Sequence, residues 1–291
     1  MDLNQRILDQ LDLRHQPPLD VMGPPRGGGP GSELYPAANT ATLTGRDEEI
    51  QCLNAFLLDG RPFCWHVLEG PAGTGKIRLA YETLRMHEAV WGGGFLSRDR
   101  IWQWDPSCWT PDIPTLLVLD IPPGGETVVS TDSIGSRLEI LERRAAEAGV
   151  PVRLLVTTRR VEEWFDDLLG GTESVNDTAR ATAWPTPGPD QRRAKPVTRL
   201  GGLSATATSA LIQDQVTRAK VEPHLRETIL AKIEALTAGD RRPLAVILAT
   251  RLAVGDESSV GRHSAADLAD AVLSTWRPWW SQPCWVVFQG K

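Results

Sequence analysis

The sequence predicts an α/β fold in which a parallel sheet with helices on both faces is followed by a purely helical region. Apolar runs typical of buried strands alternate with amphipathic helical patterns from residue 45 to residue 157. After residue 204 only helical patterns follow for some seventy residues. Because parallel strands are joined by crossover helices that cover the sheet, this alternation indicates a sheet covered on both sides.

Residues 1–40 are predicted to form a short helix and a linker ahead of the sheet. One helical face of residues 1–14 carries apolar side chains, which indicates an amphipathic helix that docks on this chain or on another. These side chains are Leu3, Ile7, Leu8 and Leu11. Residues 16–39 are rich in Pro and Gly, a composition typical of linkers, so we expect the folded part to begin near Leu43.

The elements of the sheet domain, residues 41–200, follow from the apolar spacing. The predicted strands are 64–69, 94–104, 116–120, 152–157 and 197–200, and the predicted helices are 45–58, 77–88 and 133–148. Residues 170–196 are rich in Thr, Gly, Pro and Asp and exceed the usual length of a loop. We therefore expect residues 170–196 to be a mobile excursion.

A helical subdomain is predicted over residues 201–275, followed by a tryptophan-rich tail over residues 276–291. The predicted helices are 204–219, 223–236, 243–253 and 265–275, and each begins near a capping residue or a proline. The tail contains Trp276, Trp279, Trp280 and Trp285. Three interpretations of the tail remain open: it closes the helical subdomain, it forms a protein interface, or it marks the boundary of a longer architecture.

A phosphate-binding loop is predicted where the first strand of the sheet domain meets the next helix. The loop consists of Gly70, Pro71, Ala72, Gly73, Thr74, Gly75 and Lys76. Its glycines let backbone N–H groups face a phosphate, and the helix N-terminus adds a partial positive charge. Lys76 is placed to reach the outer phosphates, so the sequence predicts a site for a nucleoside diphosphate or triphosphate.

The residue after Lys76 weakens the predicted magnesium site. A Ser or Thr hydroxyl normally binds magnesium at this position, but here the residue is Ile77, which offers no oxygen. Phosphate binding depends on backbone groups and Lys76, so it is expected to persist. Either Thr74 or water is then left to complete the coordination of magnesium.

An apolar strand over residues 115–120 predicts a carboxylate at the metal side of the nucleotide. The strand ends in Asp120, as a Walker B strand does. Hydrolytic proteins with this motif often have a second acid next, which polarises the attacking water, whereas here the next residue is Ile121. Glu126 or Asp132 replaces that acid only if the intervening Pro-Pro-Gly-Gly turn folds back.

Two further segments allow both a functional and a plain interpretation. The strand over residues 153–160 ends in two threonines, Arg159 and Arg160, which either read a terminal phosphate or form a solvated basic strand end. Pro243 stands at the start of a helix, where proline is common for conformational reasons alone.

Taken together, these motifs resemble the STAND class of P-loop NTPases, which is related to the AAA+ proteins and includes the NB-ARC and NACHT ATPases. Residues 43–49 are similar to the opening motif of the class, whose backbone lies beside the adenine. Residues 70–77, 115–120 and 154–159 resemble its phosphate loop, Walker B strand and sensor strand. The segments 199–204 and 242–245 are similar to its later motifs, and the second has a proline that packs near the base.

The resemblance implies a five-stranded parallel sheet with a helical lid, and a protein that alternates between a closed ADP-bound and an open ATP-bound state. Gly45, Arg46, the phosphate loop through Ile77, and Pro243 would then bind the nucleotide. Lys76, Asp120 and Arg159 would act on the phosphates, and Asp120 would hold Mg²⁺.

Three functions remain open from the sequence: a STAND-type switch or scaffold with weak or absent hydrolysis, an active ATPase, and a nucleic-acid machine. The first acts through a protein partner or self-association in signalling or defence. The net charge of -6 and pI near 5.5 argue against nucleic acid. Neither paired cysteines nor a leader or membrane segment is evident, so we expect a cytoplasmic protein without zinc or a membrane partner.

Overall fold

The computed structural model of the chain describes residues 16–20, 41–97, 101, 104–121, 131–161, 165, 174–185, 196–221, 223–237 and 240–255. The predicted helices at 1–14 and 265–275 and the tryptophan-rich tail lie outside these residues. Within the described ranges, no helix combines the length and the apolar character that crossing a bilayer requires.

A single mixed sheet with flanking helices forms the larger part of the described structure. Its strands are β1 (Leu19–Asp20), β2 (Phe63–Glu69), β3 (Gly92–Leu96), β4 (Thr115–Asp120), β5 (Val152–Thr158) and β6 (Val197–Arg199). The helices are α1 (Asp47–Leu57), α2 (Lys76–His87), α3 (Thr131–Ala148), α4 (Ser174–Thr182), α5 (Ala205–Arg218), α6 (Pro223–Thr237) and α7 (Pro243–Gly255).

The strand order is β1-β3-β4-β5-β2-β6, and β2 through β6 run parallel, whereas β1 pairs antiparallel with β3. This arrangement confirms the predicted fold class, a P-loop α/β fold with five parallel strands, flanking helices and a helical group after the sheet. Parallel strands place their carboxyl ends at one edge, and the register sets Glu69 beside Thr158 and Asp120 beside Thr157. The phosphate loop begins at this edge.

The apolar side chains form three buried clusters. One lies between the sheet and helices α3 and α4, and a second lies between the sheet and helices α1 and α2. Both faces of the sheet are therefore covered, which explains why the strands carry continuous apolar runs rather than alternation. The third cluster joins α5, α6 and α7, which we call the three-helix group.

The strand predicted over residues 94–104 is wrong in its extent. β3 begins at Gly92 and ends at Leu96. Beyond it, the Ile101 N–H donates to the Ser97 carbonyl at 2.9 Å. Ile101 and Trp104 are nevertheless buried in the first cluster. Ile101 and Trp104 are apolar because they are buried, although they lie outside β3. The spacing of apolar residues alone does not distinguish such positions from a strand.

Two segments predicted to lack regular structure contribute to the sheet region. Leu19 and Asp20, in the predicted linker, pair with Leu96 and Phe95 as β1, so the folded part includes residues ahead of Leu43. The rest of the predicted linker, from residue 21 to residue 39, lies outside the described residues.

The predicted excursion over residues 170–196 contains helix α4. The Trp65 indole Nε1–H donates to the carbonyl of Ala179 in this helix at 2.8 Å, and the Trp184 N–H donates to the Trp65 carbonyl at 2.9 Å. Ala179 and Trp184 are both buried. The segment packs against β2 through these contacts, which the polar composition of residues 170–196 conceals.

Candidate nucleotide-binding site

The phosphate loop has a backbone that requires glycine at three positions. Gly73 and Gly75 have φ values of 79° and 93°, in the left-handed region that other residues rarely adopt. A Cβ at Gly70 would lie 2.5 Å from the Leu200 carbonyl oxygen and 2.9 Å from Thr74 Oγ1. Gly75 is also the N-cap of α2, so the loop leads directly into the positive end of a helix. This curled backbone at a helix N-terminus fits a phosphate group.

The ammonium group of Lys76 lies over the loop that precedes it. Its Nζ donates to the carbonyls of Gly70 at 2.5 Å and Pro71 at 3.1 Å, and the side chain is almost fully buried. Burial lowers the pKa of Lys76, the carboxylate of Asp120 opposes this effect, and the guanidinium of Arg159 adds to it. Asp120 and Arg159 therefore both act electrostatically on the Lys76 ammonium.

Asp120 lies at the end of β4 and is held by the neighbouring strand. Thr157 Oγ1 donates to Asp120 Oδ1 at 2.6 Å. The next residue, Ile121, is buried in the first apolar cluster, and its N–H donates to the Thr157 carbonyl at 2.8 Å. Ile121 thus occupies the place of a second acid with a side chain that packs into the core.

Neither Ile77 nor the nearby Thr74 presents an accessible oxygen to a magnesium ion. Ile77 is half-buried and packs against the second apolar cluster. Thr74 is buried, and its hydroxyl donates to the Pro71 carbonyl at 2.9 Å within the loop. Of the two acids that could replace the second acid, Glu126 lies outside the described residues and Asp132 lies in the first turn of α3. Among the described residues, Asp120 would therefore hold a magnesium ion, with the phosphates and water as its other ligands.

Arg159 and Arg160 are exposed directly after β5. The charge of the Arg159 guanidinium contributes to the lowered pKa of Lys76. The Arg160 backbone N–H and carbonyl both bond to the Thr158 hydroxyl, which forms a tight turn.

The predicted opening motif contacts both the loop and the three-helix group. Gly45 has a φ of 64°, and a Cβ there would lie 2.3 Å from the Cβ of Ala207 in α5. Arg46 is buried and donates through Nη2 to the carbonyl of Thr74 at 3.0 Å. Residues predicted from distant parts of the sequence therefore meet at the phosphate loop.

The N-terminus of α7 rests on the other side of the loop. The Leu244 N–H donates to the Gly73 carbonyl at 3.2 Å, and Arg242 Nη1 donates to the Ala72 carbonyl at 2.9 Å. A Cβ at Gly75 would lie 4.0 Å from Cγ of Pro243, so this proline also borders the loop. The three-helix group is thus bonded to the residues that would hold phosphates.

Three side chains at this site make contacts that the sequence does not predict. Arg242 bonds to the loop, Thr157 holds Asp120, and Glu69 accepts the Val161 N–H at 3.0 Å and pairs with Arg199 Nε at 2.7 Å. Their positions offered a signal, because each adjoins or lies inside a recognised motif. Their partners did not, since every one of these contacts joins residues that lie far apart in the sequence.

Comparison with known proteins gives structural likeness only. No protein-family model and no curated protein matches the sequence. Among solved structures the chain is similar to Cdc6p from Pyrobaculum aerophilum, with 18% identity, a TM-score of 0.46, and coverage of 74% of this chain and 63% of that chain. The chain therefore spans less than two thirds of that structure.

Two other solved structures show a comparable likeness. The ORC2 protein of Aeropyrum pernix has 15% identity, a TM-score of 0.49, and coverage of 79% of this chain and 67% of that chain. The Walker-type ATPase paby2304 of Pyrococcus abyssi has 11% identity, a TM-score of 0.47, and coverage of 81% of this chain and 72% of that chain. The order of the parallel strands and the glycine loop between β2 and α2 give this chain a P-loop NTPase fold, the fold of nucleotide-binding ATPases.

Proposed function

We propose that the chain is a nucleotide-binding switch or scaffold of the STAND type, which binds ADP and ATP with weak or absent hydrolysis. Residues 41–200 form its nucleotide-binding domain and residues 201–275 its helical lid. Its output is a contact with a protein partner or with further copies of itself, in signalling or defence.

The bonds between α7 and the phosphate loop carry this proposal. The Ala72 and Gly73 carbonyls accept Arg242 Nη1 and the Leu244 N–H, and both acceptors belong to the loop that would bind phosphates. A phosphate that shifts the loop backbone therefore alters the anchoring of the three-helix group. A nucleotide that binds one arrangement more tightly moves the equilibrium toward it, which is the physical basis of a switch.

The expectation of weak hydrolysis rests on two side chains. Ile77 supplies no oxygen to magnesium. Ile121 stands at the sequence position where a second acid would polarise water, but its alkyl side chain packs into the core. When bound, Mg²⁺ would neutralise phosphate charge, with Asp120 as its protein ligand. Lys76, Arg159 and the loop backbone bind and orient the phosphates, so binding needs neither missing group.

An active ATPase is the second candidate, favoured by the electrostatic action of both Asp120 and Arg159 on the Lys76 ammonium. Steady phosphate release by the purified chain distinguishes the two functions. A switch with weak hydrolysis gives release near background, whereas an ATPase gives steady release that disappears in Asp120→Ala.

Restoring the hydroxyl at position 77 is expected to strengthen the magnesium site. Adding Mg²⁺ should raise the affinity of Ile77→Thr for a nucleoside triphosphate about tenfold more than it raises that of the wild type. This difference equals about 1.4 kcal/mol in binding free energy. Ile77→Val is the matched control because Val has nearly the shape of Thr but no hydroxyl. Calorimetric titration with and without Mg²⁺ measures the difference. Equal magnesium dependence in the Thr and Val variants would contradict the assigned position of the metal.

A further inference from the structure

The phosphate loop and the connection from β6 to α5 meet at Arg46, directly before α1. We call residues 200–203, which lie in that connection, the hinge segment. The Leu200 N–H donates to the Glu69 carbonyl at 2.7 Å, and the Leu203 N–H donates to the Arg241 carbonyl at 2.8 Å. Gly201 and Gly202 lie between these two bonds. The hinge segment is therefore fixed at both ends to residues that flank the phosphate loop or precede α7.

The guanidinium of Arg46 fills the space between the loop and the hinge segment. Nη2 donates both to the Thr74 carbonyl at 3.0 Å and to the Gly201 carbonyl at 2.6 Å. Nη1 donates to Glu49 Oε1 at 2.8 Å, which fixes the orientation of the planar group. Arg46 is only 5% exposed, so these bonds are shielded from water.

This arrangement joins two backbone segments through one rigid group. The guanidinium presents its N–H donors in a fixed plane, so one carbonyl cannot move without changing the bond to the other. A lysine ammonium at this position has one nitrogen on a flexible stem, which cannot hold the carboxylate and both carbonyls in the same way. The charge of Arg46 alone therefore does not reproduce the link.

We infer that Arg46 is a positioning residue that couples the phosphate loop to the hinge segment, so that nucleotide bound at the loop restricts the hinge. The inference rests on the proposed nucleotide binding and extends it, because it gives a route by which bound nucleotide affects the three-helix group through Arg46 and the hinge segment. The bonds between α7 and the phosphate loop form a second, direct link.

Hydrogen exchange of the Leu200 and Leu203 amides, with and without ADP, tests this coupling in the full chain. Exchange reports local opening, and both amides are bonded in the hinge segment. The wild type should exchange at least about fivefold more slowly with ADP. Arg46→Lys, measured at an ADP concentration that saturates its thermal shift, should lose most of this slowing although its affinity for ADP also falls.

Arg144→Lys is the matched control. Arg144 in α3 likewise bonds to a carbonyl, that of Trp109 at 2.7 Å, and to a carboxylate, that of Glu147 at 2.8 Å, but it lies away from the hinge segment. This control should keep the wild-type response to ADP. If Arg46→Lys does not fold or does not saturate, Glu49→Ala replaces it, since this change removes the oxygen that accepts the Nη1–H bond and should reduce the slowing at least twofold.

The outcomes separate the coupling from nucleotide binding itself. Loss of the ADP effect in Arg46→Lys, with the effect kept in Arg144→Lys, supports the coupling. A full wild-type effect in Arg46→Lys, or in Glu49→Ala where that variant replaces it, overturns the coupling and leaves the proposed function intact. A wild type that shows no thermal shift with ADP overturns the proposed function, and the coupling fails with it.

Discussion

Lys76→Ala is expected to abolish the thermal stabilisation that ADP or ATP gives the wild type. A ligand at about 100 times its Kd stabilises a protein by about 2.7 kcal/mol, which raises the Tm of a domain of this size by about 5–10 °C. Lys76 is the residue that we propose for the outer phosphates, and its Nζ is already held at the loop by the Gly70 and Pro71 carbonyls. Without it, the loop backbone alone should bind too weakly to give a measurable shift.

The comparison should use the shift on adding nucleotide rather than the Tm itself, because Lys76→Ala also removes two hydrogen bonds from the unliganded protein. Differential scanning fluorimetry over a range of nucleotide concentrations measures this shift. Lys232→Ala, a change of the same charge on α6, should keep the wild-type response. An unchanged shift in Lys76→Ala would remove the phosphate loop as the binding site.

Arg153→Met is expected to cause the largest loss of stability among single changes in the sheet. Arg153 in β5 is fully buried, and its guanidinium donates to four backbone carbonyls. These carbonyls belong to Phe56, Asp59, Pro62 and Val152. Methionine keeps the volume but leaves the carbonyls without donors in the core, so we expect a loss of about 3–5 kcal/mol.

Urea unfolding of the full chain measures this loss. Arg144→Met is the control, because Arg144 is half-buried and water can replace its bonds, so a loss of about 1 kcal/mol is expected. Similar losses for the two variants would mean that water reaches the Arg153 carbonyls, contrary to the packing of Trp91 5.6 Å from its guanidinium.

The elements that the sequence predicts well are those whose signal is local. β2, β4 and β5 lie within one residue of their predicted ends, because each is a continuous apolar run buried on both faces. α5 begins one residue later than predicted, where the Ser204 hydroxyl accepts the Ala207 N–H. Such features depend on neighbouring residues, which a single sequence displays.

The features that the sequence does not predict depend on contacts between distant residues. β1 forms because Leu19 and Asp20 pair with the edge of β3. The Trp65 indole holds α4 by donating a hydrogen bond to a carbonyl of that helix. Arg153 is charged, so its sequence environment gives no sign that it is buried among carbonyls. The same holds for Arg46, whose predicted role concerned its backbone, whereas its side chain joins two other segments.

If nucleotide at the phosphate loop governs the docking of α7, hydrogen exchange of the Leu244 amide should depend on which nucleotide is bound. This amide bonds to the Gly73 carbonyl in the loop, so its exchange reports whether α7 rests there. We expect slow exchange with ADP and at least about fivefold faster exchange with a non-hydrolysable ATP analogue, both at saturation. Equal exchange rates with the two nucleotides would contradict it.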